Sequence, residues 1–166
     1  MKREDSSMNS KEESQIRLHD FKPEEGRFHA EVLNGLRKPQ KELPSKYFYD
    51  ERGSYLFEHI YPLDEYYIPR TEEAIMKAYI EEMAELLGPN VLLIEYGSGN
   101  NSKTRILLNH LRQPAGYIPI DISREQLLCT TKELISDYPK LEVLPVCADY
   151  TSDFNLPVLK QPNRSR

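Results

Sequence analysis

Val91-Leu92-Leu93-Ile94-Glu95-Tyr96-Gly97-Ser98-Gly99 joins a four-residue aliphatic run to a turn punctuated by two glycines. A short apolar run bounded by turn residues predicts a strand buried on both faces, as in a parallel sheet. Downstream, Lys103 to Arg112 predicts a helix and Gly116 to Ile120 a second strand. Ser123-Arg124-Glu125-Gln126 has the form of a capping box. The helix it opens carries Leu127, Leu128, Leu134 and Ile135 on one face up to Pro139, and Val143 to Ala148 predicts a third strand. This alternation predicts an α/β fold with right-handed crossovers and a parallel sheet, of the doubly wound kind. Each proline in a strand removes a ladder donor. Pro145 suits an edge strand, which the third strand is expected to be, whereas Pro119 falls in a more interior one, near its end.

Upstream, residues 1–15 are Ser, Glu, Lys and Asn with almost nothing to bury, which predicts a disordered tail. Residues 16–88 form an N-terminal segment, aromatic from Tyr47 to Tyr67, broken by Gly53 and Pro62 and expected to fold as short helices and loops. Its last helix runs from Pro69 to Gly88-Pro89, with Ala74, Ile75, Ala78, Tyr79, Met83, Leu86 and Leu87 at helical spacing. Residues 89–159 are then the sheet-bearing unit and 160–166 a polar tail.

Open α/β sheets hold ligands at the carboxyl ends of their strands. There the first strand offers Gly97, Ser98 and Gly99, whose glycines let backbone approach a ligand closely. The second offers Asp121, a carboxylate placed to accept both hydroxyls of an adenosine ribose. The third offers Asp149-Tyr150, an acceptor for an adenine amino group beside a ring that packs on a base. Each has a plainer reading, as a simple turn, a helix-leading acid or a packed aromatic. A phosphate loop competes, because Gly97 to Thr104 reads G-x-x-x-x-S-K-T against G-x-x-x-x-G-K-[ST]. Ser102 replaces the glycine where backbone amides must curl round a phosphate, and the same serine breaks G-x-G-x-x-G. Glu95 before the glycines would repel phosphates but suits a cationic sulfonium, which favours S-adenosyl-L-methionine over phosphate-bearing ligands.

Four blocks in order carry a resemblance: Leu43-Pro-Ser-Lys-Tyr-Phe-Tyr-Asp-Glu-Arg-Gly-Ser-Tyr-Leu-Phe-Glu58, Asp64-Glu-Tyr-Tyr-Ile-Pro-Arg-Thr-Glu72, Glu95-Tyr-Gly-Ser-Gly-Asn-Asn-Ser-Lys-Thr-Arg105 and Tyr117-Ile-Pro-Ile-Asp-Ile-Ser123. They resemble the L-histidine Nα-methyltransferases of ergothioneine biosynthesis, over about Ile16 to Leu156 and including Pro119. The resemblance implies a partial Rossmann-like class I methyltransferase fold preceded by a helical N-terminal segment. It further implies three methyl transfers from S-adenosyl-L-methionine to the α-amino group of L-histidine, or of a related amine. By matching motif positions, Gly97, Lys103, Asp121, Asp149 and Tyr150 fall to the cofactor, and Tyr49 and Tyr66 to the imidazole side of the substrate. Lys103 is otherwise a solvated residue of a first helical turn, and Tyr67 is the neighbour to be told apart from Tyr66. No catalytic base is assigned, since a sulfonium is already activated and the protein has chiefly to align a neutral amine and exclude water.

Composition narrows the partners. Against 27 Asp+Glu stand 22 Lys+Arg, a formal net charge of −5 without the basic clustering that nucleic acid demands. Cys129 and Cys147 lack a CxxC partner and the four histidines are scattered, so no metal site is expected. No run approaches the ~20 apolar residues of a membrane span, and no hydrophobic leader follows Met1; a cytoplasmic protein with reduced thiols is expected. Family members continue past the point where this chain ends, through further strands and an added domain that grips the substrate's amino and carboxylate ends. A truncated chain is therefore expected, inactive on its own, with the first strand's far edge uncovered. The alternative is a non-catalytic relic or split subunit that works with a separate chain supplying the missing half.

Overall fold

The computed structural model describes residues 16–21 and 27–160, so the predicted tail 1–15 and residues 161–166 lie outside the described residues. The elements run β1 (His19–Phe21), α1 (Arg27–Arg37), a 3-10 turn (Ser45–Phe48), α2 (Glu51–Ile60), α3 (Ile68–Leu87), β2 (Leu92–Tyr96), α4 (Ser102–Leu108), β3 (Gly116–Asp121), α5 (Arg124–Asp137) and β4 (Val146–Ala148). The strands form one parallel sheet in the order β1-β4-β3-β2. The three strands read from the sequence are thus present, in the arrangement of a partial Rossmann-like methyltransferase fold.

β1 corrects one expectation. The third strand of the sequence reading, β4, is not an edge: His19 to Phe21 pair with Val146 to Ala148, and the His19 amide donates to the Pro145 carbonyl at 2.9 Å. The edge passes to β1, a three-residue strand, while Pro145 sits buried between two neighbours. The other edge is β2, which pairs with β3 from Leu92↔Gly116 to Tyr96↔Ile120 and has no described strand beyond it.

Successive residues of a parallel strand direct their amides to alternate sides, so Pro119 faces the same neighbour as Tyr117, whose amide reaches the Glu142 carbonyl at 2.9 Å. The absent donor therefore falls between β3 and β4. That ladder is broken at this level: Tyr117 and Val143 form an isolated bridge, and regular pairing resumes at Ile120↔Val146. The β2–β3 ladder is unaffected.

Both faces of the sheet are buried at its centre, over β3 and β4, whereas β2, expected to be buried on both faces, holds no buried residue and exposes Leu92 and Tyr96, because no described strand lies beyond it. On one face, Tyr117 and Val143 pack with Ile80 of α3, Leu107, Leu108 and Leu111 around α4, and Leu134 of α5. On the other, Ile118, Ile120, Leu144, Val146 and Ala148 pack with Ile94 and are covered by Phe154 and Leu159. Ile118, Ile120, Leu134 and Val146 are fully buried, each stabilising by about 1.5–3 kcal/mol relative to exposure. α3 forms as expected, with a proline in its first turn and Gly88 at its end. Its buried stripe is Ile80 and Ala84, flanked by Met76, because that stripe meets α4. Ile75, Tyr79, Leu86 and Leu87 of the apolar series read from the sequence stay exposed.

The capping box at Ser123 does not form. The hydroxyl of Ser123 caps nothing and instead meets the Ser54 hydroxyl of α2 at 3.2 Å in a buried contact, while its backbone amide donates to Asp121 Oδ1 at 2.9 Å. This bond, with Gln126 Nε2 donating to Glu58 at 3.1 Å, fixes α2 beside the start of α5. The N-terminal segment is thereby held over the carboxyl ends of the strands.

Candidate functional site

At the tip of β2 the chain turns through positive φ at Gly97 (72°), Gly99 (52°) and Asn101 (57°). The amides of Gly97 and Ser98 both donate to the Ile120 carbonyl, at 2.8 and 3.3 Å, and the Gly99 amide donates to Asp121 Oδ2 at 3.2 Å. Asp121 therefore ties the β2 turn to the β3 tip. A carboxylate offers about four acceptor positions. Here the amides of Gly99 and Ser123 occupy one on each oxygen, leaving one on each, which suits a vicinal diol.

Gly97, Gly99, Asp121, Asp149 and Tyr150 line one cavity of about 270 Å³, together with Tyr49, Phe57, Ile122 and Gln126. The residues read from three separate strand tips thus share a single space. Tyr49 enters it from the turn before α2, where Asp50 caps the helix by accepting from the Gly53 amide at 2.7 Å. Tyr66 stands one ring back, its centroid 5.9 Å from Phe57 in an edge-on contact, and Phe57 lies 6.4 Å from Tyr49. Tyr67 is the more exposed of the pair, at 62%. Tyr150 packs edge-on against Tyr96 at 5.9 Å.

Three predicted residues do not line this cavity: Tyr66, which packs on Phe57, and Lys103 and Ser98. Lys103 holds Glu72 of α3 at 2.9 Å; burial alone would lower the ammonium's pKa, and Glu72, with Tyr61 and Glu95, outweighs it and raises the value. Ser98 is buried with its hydroxyl unpartnered, as are the Asn101 side-chain amide and the Ser102 hydroxyl. Glu95 is likewise committed elsewhere: Tyr117 Oη donates to its Oε2 at 2.5 Å and the Thr104 hydroxyl donates to the same oxygen. Burial, then the nearby Glu95 carboxylate, push the Tyr117 phenol far above its ordinary range.

Lys46 is a wall residue that the sequence did not single out. Its ammonium contacts Asp149 Oδ2 at 3.1 Å and Glu31 Oε2 at 3.0 Å, and Tyr47 Oη donates to Glu31 at 2.8 Å. Burial alone would raise the Asp149 carboxyl. The Thr151 hydroxyl and amide, then Lys46, outweigh it and hold the group below the usual aspartate value. A lone lysine in an aromatic segment carries no periodic signal; Phe57, Ile122 and Gln126 are also invisible as cavity-lining residues until α2 and α5 are placed.

A phosphate fits this turn poorly. The amides of Gly97, Ser98, Gly99, Asn101 and Ser102 are all taken by acceptors within the turn and its neighbours. None is presented as a free donor to an anion. Two carboxylates and one lysine line the cavity instead, a balance suited to a cationic ligand bearing a diol and an amino-substituted base. Among the described residues, no group of three or more His, Cys, Asp or Glu side chains is gathered to hold a metal ion, and no helix is long and apolar enough to cross a membrane.

Comparison with known proteins gives a consistent result. A family profile described as histidine-specific methyltransferase, SAM-dependent, matches residues 28–166. The chain is 38% identical over 123 residues to the histidine N-alpha-methyltransferase of Mycobacterium tuberculosis (strain CDC 1551 / Oshkosh), covering 72% of this chain and 38% of that protein. To the histidine N-alpha-methyltransferase of Mycolicibacterium smegmatis it is 37% identical over 123 residues, with the same shares. To ergothioneine biosynthesis protein 1 of Neurospora crassa it is 37% identical over 99 residues, covering 58% of this chain and 11% of that one. The chain thus spans well under half the length of the curated relatives it matches.

Proposed function

The chain belongs to the family of histidine-specific, SAM-dependent methyltransferases, and from that premise we propose that its cavity holds the adenosyl end of S-adenosyl-L-methionine for methyl transfer to the α-amino group of L-histidine. The observation that carries this reading is the convergence of Gly97, Asp121 and Asp149 on one space. The residues fit the cofactor: Asp121 keeps one free acceptor position on each oxygen for the two ribose hydroxyls, and the Gly97 turn leaves room beside its Cα, where an added Cβ would meet nothing within 4 Å.

When bound, the cofactor supplies an activated methyl group on a positively charged sulfur. In this reading Asp121 orients the ribose, Asp149 accepts from the base amino group, and Ile122 and Tyr150 flank the base. Gly97 and Gly99 shape the floor, with Ser98 buried in the turn between them, and Lys103, now paired with Glu72 outside the cavity, would reach the cofactor's carboxylate only by leaving that partner. Tyr49, backed by Phe57 and Tyr66, takes the imidazole side of the acceptor. The contribution to rate is alignment and water exclusion. The acceptor amine must be neutral to attack, so activity rises with pH until that amine has lost its proton.

A second reading is favoured by the edge of β2, which no described strand covers, and by the exposed Ile75, Tyr79 and Leu86 of α3. Here the chain methylates only with further polypeptide, covalently continuous or separate, that covers these surfaces and grips the histidine amino and carboxylate groups. Methyl-labelled S-adenosyl-L-methionine and L-histidine, incubated with the chain alone and with a polypeptide supplying the relatives' remaining length, test both. Labelled Nα-methylated histidine from either mixture supports the assignment, and its appearance only in the second selects the second reading. Label on a different amine, or on none, rejects the proposed acceptor.

A further inference from the structure

Lys46 stands in the wall between the 270 Å³ cavity and an adjoining one of about 540 Å³, lining both. Its side chain is 23% exposed and that of Asp149 only 10%. The Asp149 carboxylate receives three donors: the Thr151 amide at 3.0 Å and hydroxyl at 2.5 Å on Oδ1, and Lys46 at 3.1 Å on Oδ2. Of its about four acceptor positions, one therefore remains, on the oxygen that Lys46 holds. Glu31 anchors the ammonium from behind, and Tyr47 anchors Glu31.

Resting on the adenosyl reading above, we infer that Lys46 is a positioning residue that presents the last acceptor site of Asp149 to the base and so makes the cavity select a 6-amino purine over a 6-oxo purine. A 6-amino group donates to that site. A 6-oxo oxygen meets an acceptor there, and is repelled while the carboxylate stays ionised and fixed. Without the ammonium, Thr151 still holds Oδ1 but Oδ2 loses its fixing partner, so the carboxylate can turn away from an oxo group and the repulsion that rejects it is relaxed. The lysine thus enforces selectivity without touching the base.

The test is calorimetric titration of the full chain with S-adenosylhomocysteine and with its 6-oxo analogue, S-inosylhomocysteine. Lys46→Met is expected to bind S-adenosylhomocysteine about tenfold more weakly and to narrow the ratio between the two ligands several-fold, with the acid limb of binding moved to higher pH. Lys46→Arg is expected to restore the ratio. Unchanged affinity in Lys46→Met, or an equal loss for both ligands, overturns the inference while leaving the adenosyl reading intact. Failure of the unmodified chain to bind S-adenosylhomocysteine overturns both. Should Lys46→Met not fold, Glu31→Gln, which loosens the ammonium from outside the cavity, must narrow the ratio in the same direction, and an unchanged ratio there is also fatal.

Discussion

Replacing Gly97 by alanine separates two effects that usually arrive together. Gly97 has φ of 72°, and a Cβ added there meets no atom within 4 Å. Its folding penalty is then the left-handed backbone alone, about 1–2 kcal/mol, or a fall in melting temperature of roughly 2–8 °C for a chain of this size. If the open space belongs to an adenosyl ligand, the new methyl group occupies it, and affinity for S-adenosylhomocysteine falls at least tenfold, about 1.4 kcal/mol or more. Gly88 supplies a matched control. It shares φ of 72° and the same open surroundings but ends α3 rather than lining the cavity. With ψ of −169° it sits in a region almost reserved for glycine, so Gly88→Ala is expected to cost about 1–3 kcal/mol with affinity unchanged. Thermal unfolding and calorimetric titration of both variants decide the matter. Full affinity in Gly97→Ala, or an equal loss in Gly88→Ala, would mean that the open space beside Gly97 holds no part of the ligand.

Three more outcomes follow from the same contacts. Asp121→Asn leaves one acceptor oxygen where two now serve the Gly99 and Ser123 amides, so titration should show affinity for S-adenosylhomocysteine reduced roughly 10- to 100-fold, at about 1.5–3 kcal/mol for a hydrogen bond to a charged group. Tyr117→Phe deprives Glu95 and Asn101 of a buried donor and should cost about 1–3 kcal/mol in denaturant unfolding with little change in ligand affinity. For pH, the folded Asp149 carboxyl lies below its ordinary value. Its stabilising contribution is complete above about pH 3.9 and is lost as pH falls through the lower folded value. The stability difference between the unmodified chain and Asp149→Asn should therefore shrink on acidification below about pH 4; a difference that grew would contradict the assignment.

The parts legible in the sequence are those where local pattern and final burial agree. Gly116 to Ile120 and Val143 to Ala148 are apolar runs buried at the centre of the sheet, and the acids following them fall at strand tips because strands end where polarity returns; Val91 to Ile94 forms its strand but stays partly exposed, since no described strand lies beyond it. β1 escaped notice because three residues carry no measurable period and His19-Asp20-Phe21 pairs only through tertiary context, with Asp20 held by Arg124 of α5 at 3.3 Å. The Ser123 box misled because the hydroxyl had a competing partner in Ser54, 69 positions away. On α3 the apolar series read from the sequence stays largely exposed, and contact with α4 buries Ile80 and Ala84 instead. At the site, glycines and carboxylates announce themselves by type and place. Lys46 does not, because its role exists only once residues 103 positions apart meet.

Amide resonances of the ¹⁵N-labelled chain are to be followed during titration with S-adenosyl-L-methionine and separately with inorganic triphosphate, which offers phosphates without an adenosine. Gly97, Gly99, Asp121 and Asp149 are expected to shift together and saturably with the sulfonium ligand and to stay still with the triphosphate. Shifts at these four positions with inorganic triphosphate, or a bound sulfonium that moves none of them, would contradict the adenosyl assignment.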